Sequence, residues 1–250
     1  MGRRSTPTPN APDADPNAPD ADPSAPDGGG GGGADADTRR FSFFVTSLAT
    51  MRLQSGSQDG FGGDLGGLAG ADAICTTAAT AVGFGHKTWR AFLSVYNNGT
   101  PLHAIDRIGT GPWYDANERL VAMDLAGLTS GDRPAGDAAS VNDLPDENGV
   151  PGTTLGDTHD ILTASNTMGR FDGSSAAASC QDWTDAGAGS PNTVRLGHSW
   201  PAQSGRNWIR AHQARGCSPG VNLVQNGPGT GTSVGAGGGW GGIYCFALEP

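Results

Sequence analysis

Within residues 156–160 (GDTHD), Asp157, His159 and Asp160 stand within four positions of one another. Imidazole beside carboxylate is a pairing that holds a transition metal or moves a proton. His198 and His212 are the candidates to complete a His/carboxylate site of a metal-dependent enzyme. Both are remote in sequence, so the set exists only if the fold gathers it. Otherwise each histidine is a surface or polar-network residue. A second oxygen-rich stretch, residues 142–149 (NDLPDENG), offers Asp143, Asp146, Glu147 and Asn148, the hard donors that calcium requires. It departs from EF-hand spacing, and Pro145 and Gly149 equally suit a solvated acidic turn.

Other patterns carry less chemistry. Ser199 follows His198, but no G-x-S-x-G elbow surrounds it and no orienting acid pairs with the histidine. Gly237, Gly239 and Gly242 match G-x-G-x-x-G, yet they run into a closing strand and not a helix, so they do not form a nucleotide loop. Glycine there lets the chain pass close beneath its neighbours. Trp113, Trp200, Trp208 and Trp240 lie in Gly-, Pro- or Asn-flanked segments. On one exposed face they would stack on sugar rings or anchor a protein ligand, and otherwise they fill the core of a strand-poor fold.

The elements that must position these groups are tied by cysteine. Cys75, Cys180, Cys217 and Cys245 are an even set, widely spaced and without a C-x-x-C pair. That pattern indicates two long-range disulfides in an oxidising compartment, with three connectivities open. Residues 41–47 (FSFFVTS) are aromatic and β-branched and predict a first strand. Over residues 65–82 the period changes: Leu68, Ala71, Cys75, Ala78, Ala79 and Val82 fall on one helical face, with Asp64 as N-cap and Gly83 as stop. Residues 88–95 (TWRAFLSV) alternate as a half-buried strand that places Trp89 in the core, and residues 243–248 (IYCFAL) form a closing strand. Between them lie long loops, which a compact domain tolerates when they are functional or covalently tied.

Residues 1–40 contribute no core. NAPDADP occurs twice over residues 10–23, six glycines follow at 28–33, and no large apolar residue appears between Met1 and Phe41. Such a segment is expected to be a disordered Pro/Asp/Gly-rich stalk ahead of one domain, 41–250. Net charge is −10, and no basic cluster exceeds two adjacent residues, so a nucleic-acid partner is not expected. No apolar run reaches the length of a membrane span, and no transmembrane segment is expected. The sequence begins with charge but lacks an apolar signal region. Together with the disulfides, this implies a start upstream or a signal already removed, with room for a lipid anchor ahead of the given start.

One early strand, one helix, a loop-rich middle and a closing strand with cysteine form an order that resembles the C-type-lectin-like fold, in its endostatin-like branch. The text that carries it is FVTS (44–47), GDLGGLAGADAIC (63–75), TWRAFLS (88–94), DRIGTGPWYDANERLVA (106–122), GDTHDILTAS (156–165), CQDWT (180–184), GHSW (197–200), AHQARGCS (211–218) and GGIYCFA (241–247). These stretches look like the domain of secreted bacterial proteins that includes leptospiral endostatin-like lipoproteins, and they run in order over residues 41–250. The resemblance implies an α+β fold with few helices, short strands and long loops. It also implies nested disulfides, Cys75 with Cys245 and Cys180 with Cys217. The calcium-binding triplets of sugar-holding relatives are absent, and residues 39–46 carry no histidine to stand in for endostatin's N-terminal zinc ligands.

The function expected is a non-catalytic, extracellular or cell-surface binding module. It would recognise a glycan or protein through the loops between Tyr96 and Trp240. No cofactor is expected, calcium at the acidic loop excepted. The competing readings are the metal-dependent His/Asp enzyme and a structural component of the cell surface.

Overall fold

A computed structural model describes residues 39–137, 143–187, 194–200, 206–224 and 231–249. The chain parts into two units between Ala36 and Asp37. The expected stalk lies outside the described residues, except for Arg39 and Arg40. These two already belong to the domain. The Arg39 guanidinium lies 4.5 Å above the Phe84 ring, and that of Arg40 lies 3.9 Å above Tyr114.

The fold is mixed α+β with short strands. Its strands are β1 (Phe43–Val45), β2 (Trp89–Ala91), β3 (Trp113–Tyr114), β4 (Leu120–Ala122), β5 (Asp160–Leu162), β6 (Arg195–His198), β7 (His212–Gln213) and β8 (Gly239–Ala247). The α-helices that concern the site are α1 (Leu48–Ser55) and α2 (Gly67–Ala81). β8 is the spine: β1 and β2 pair antiparallel with its C-terminal half, and β5 pairs parallel with its N-terminal half. β6 and β7 extend the sheet beyond β5, while β3 and β4 form a separate hairpin.

Every residue of β8 is buried, and strand alternation separates two cores. Ile243, Cys245 and Ala247 face the one covered by α2, whereas Tyr244 and Phe246 face the one filled by loops. Burial on both faces explains why the closing strand is apolar at nearly every position and not alternating.

α2 follows its 3.6-residue period, with Ala71, Cys75, Ala78 and Ala79 buried and Leu68 and Val82 packed beside them. Gly83 ends it at φ +95°, as expected of a left-handed stop. The expected N-cap is displaced. Gly66 stands at that position, and the Asp64 carboxylate instead accepts from the Gly66 amide two residues on. α1 is absent from the sequence reading. Its apolar face is only Leu48 and Met51, and its order comes from caps, Ser47 at one end and left-handed Gly56 at the other.

Two disulfides, Cys75–Cys245 and Cys180–Cys217, tie α2 to β8 and two loops to each other. This is the pairing that the resemblance implied.

Candidate functional site

β5, β6 and β7 place three histidines at one end of the sheet. His159 immediately precedes β5, and its amide and that of Asp160 both donate to the Gly238 carbonyl at 2.9 Å. Asp160 is registered opposite His198 on β6, and Leu196 opposite His212 on β7. The ligating atoms of His159, His198 and His212 lie within 4.8 Å of one another. Their rings form a tight cluster. His159 and His198 stack with centroids 4.2 Å apart, and His212 stands edge-on to both, at 5.1 and 5.4 Å.

The carboxylates then order the rings. His212 Nδ1 donates to Asp160 Oδ1 at 2.7 Å. Asp160 Oδ1 is also 3.5 Å from His159 Nε2, and Asp157 Oδ1 is 3.4 Å from His159 Nδ1. Arg133 donates to the His198 carbonyl at 2.7 Å, and Trp200 packs edge-on against the His198 ring. Burial lowers the pKa of both enclosed histidines. For His198 it falls to about 2, with the neighbouring His159, His212 and Arg133 adding to the effect. For His159 the carboxylates of Asp160 and Asp157 oppose the shift. Both rings are therefore neutral near pH 7.

Glycine makes room for this. A Cβ on Gly237 would stand 2.2 Å from Asp160 Oδ2, and Gly238, at φ +131°, lies against the His159 ring. The glycine run before β8 was thus a signal in the sequence, marking where backbone would pack on His159 and Asp160.

A cavity of about 340 Å³ adjoins the cluster. Val45, Leu48, Leu144, Val150, Leu155 and Trp240 supply much of its wall, with His159, Asp160 and Ser199 on one side.

The acidic loop does not converge as a calcium site. Glu147 is buried and faces α1, accepting from the Ser47 amide at 2.9 Å, from Ser47 Oγ at 2.6 Å and from Thr50 Oγ1. Asp146 accepts from the amides of its own turn, Asn148 and Val150, and Asp143 from Thr153 Oγ1. Burial raises the pKa of Asp143 and Asp146. The loop's carboxylates are engaged in separate directions, because unsatisfied amides and hydroxyls nearby claim them first. Asn142 lies outside the described residues.

The four tryptophans also part company. Trp113 and Trp208 are fully buried, their Nε1 atoms donating to the Ala247 and Leu128 carbonyls. Trp240 is buried, donates to the Thr46 carbonyl and shows the cavity one edge. Trp200 is half-buried beside the histidines, with Nε1 on the Thr158 carbonyl. An aromatic platform built from all four is therefore corrected. The loop-rich core needs bulky apolar filling, and backbone carbonyls satisfy each indole N–H.

No protein-family model matches this chain, and no curated protein is significantly similar to it.

Proposed function

We propose that residues 41–250 form a non-catalytic binding module of the C-type-lectin-like kind, displayed outside the membrane, whose ligand is a protein anchored by an apolar side chain. The observation that supports this reading is the cavity beside His159. Its size is at the lower end of ligand pockets, and its wall is mainly aliphatic with Trp240. Polar side chains such as Ser47, Arg52, Asp146 and Thr154 also border the cavity, but most of the surface it exposes is apolar, which favours an apolar anchor over a sugar. A leucine or aromatic side chain of a protein ligand finds apolar contact on several sides. Two disulfides suit an oxidising, extracellular setting.

Leu155 is 47% exposed on the cavity rim, so Leu155→Trp fills the opening without entering either core. The full chain, screened against arrays of extracellular proteins and of glycans, is expected to capture proteins and to lose them with Leu155→Trp. Glycan capture indifferent to that substitution overturns the cavity reading, and substrate turnover overturns the non-catalytic one.

A further inference from the structure

Three histidines from separate segments meet beside the cavity, and two of them are sealed from water. The side chains of His159 and His198 are fully buried, and that of His212 is 20% exposed. Among the described residues, none of the four ring nitrogens of His159 and His198 meets a partner in good hydrogen-bond geometry, and the carboxylates of Asp157 and Asp160 stand 3.4 and 3.5 Å from those of His159. A neutral imidazole carries one N–H and one lone pair. Buried polar atoms are nearly always satisfied, so four orphans in two touching rings need an explanation. An ion that accepts one lone pair from each ring accounts for two of the four.

The surroundings are arranged for it. With Nδ1 held by Asp160, His212 presents Nε2 as its ligating atom. Asp157 lies beside Nδ1 of His159 and Asp160 beside Nε2. Whichever of the two turns to an ion, the other faces a carboxylate, which is how metal-bound histidines are commonly oriented and made more basic.

We propose that His159, His198 and His212 together bind one zinc ion, with Asp160 orienting His212 and a water in the fourth position on the His212 side. Imidazole nitrogens select first-row transition ions, whereas calcium and magnesium require oxygen donors. Three protein nitrogens with one open position is the tetrahedral arrangement that catalytic zinc sites keep, so this proposal stands apart from the non-catalytic reading above. Two nitrogens each about 2.1 Å from a tetrahedral ion stand about 3.4 Å apart. The ligating atoms, which lie within 4.8 Å of one another, therefore close by up to about 1.4 Å on binding. The stacked rings, 13° from parallel, aim their lone pairs side by side, so binding must also turn one ring about its χ2.

The test uses the full chain, stripped with chelator and titrated with zinc or cobalt(II). The expected result is one equivalent bound at micromolar or tighter affinity, with the visible spectrum of four-coordinate cobalt. His198→Ala and His212→Ala each abolish it, Asp160→Asn weakens it about 10- to 100-fold, and His86→Ala, at an exposed histidine, matches wild type. His212 lies on a short edge strand and is partly exposed, so its variant keeps the fold, which far-ultraviolet circular dichroism verifies. Substoichiometric metal at saturating zinc, or one equivalent retained in a folded His212→Ala variant, overturns the proposal.

Discussion

Asp160 and His212 lie on strands that do not pair with each other, β5 and β7, yet their side chains meet across β6 at 2.7 Å. Asp160 is the first residue of β5, where the parallel register with β8 shifts. That irregularity lies beside Gly237, whose lack of a side chain admits the carboxylate, and Gly238, which lies against the His159 ring. The contact fixes which nitrogen of His212 carries the proton, and through it how the histidine cluster is presented.

Gly237→Ala is expected to destabilise the domain by about 1–3 kcal/mol, because its Cβ would stand 2.2 Å from Asp160 Oδ2. Gly131→Ala, where nothing lies within 4 Å, is expected to change stability by no more than about 0.5 kcal/mol. Urea unfolding of both variants checks the contrast, and equal midpoints would remove the glycine from the account of the site.

Glu147→Gln should cost about 1–3 kcal/mol, since one carboxylate accepts three hydrogen bonds that order the start of α1, and an amide cannot accept them all. The same engagement predicts that millimolar calcium leaves the melting temperature unchanged. A calcium-dependent rise in a thermal scan would show that the loop rearranges into an ion site.

Metal-free protein is expected to weaken in mild acid. Burial depresses the folded-state pKa of His159 and His198, the latter to about 2, whereas the unfolded chain takes up these protons near pH 6.5. Below that pH the unfolded state binds protons that the folded state refuses. Stability is therefore full above about pH 6.5 and falls as pH drops, by up to about 1.4 kcal/mol per pH unit for each histidine. Urea midpoints in chelator from pH 8 to pH 4 give the slope, and His198→Gln should flatten it.

Both disulfides close loops, of 170 and 37 residues in sequence separation. Chain-entropy reasoning makes the Cys75–Cys245 bond more stabilising by about 1 kcal/mol. Paired Cys→Ala variants, Cys75 with Cys245 and Cys180 with Cys217, compared by urea unfolding, test that order.

Local pattern and composition determined a good part of this protein. The buried face of α2, its stop at Gly83 and the strand that carries Cys245 follow from short-range periodicity and turn chemistry, which depend only on neighbours in sequence, and the resemblance implied the α+β class. Cysteine number and spacing pointed to disulfides for the same reason. The side chains of the site were nameable, His159 with Asp157 and Asp160 by adjacency, His198 and His212 by type. Their convergence depends on the β5–β6–β7 register, a property of strand pairing that no local window contains. Tertiary packing also decided which polar groups were already engaged. Glu147, a calcium donor by composition, is claimed by the start of α1, and Trp113 and Trp208, loop residues by their flanks, are claimed by a core that the loops themselves enclose. Burial and hydrogen-bond satisfaction are settled by what surrounds a group in space, so they became legible only once the chain was folded.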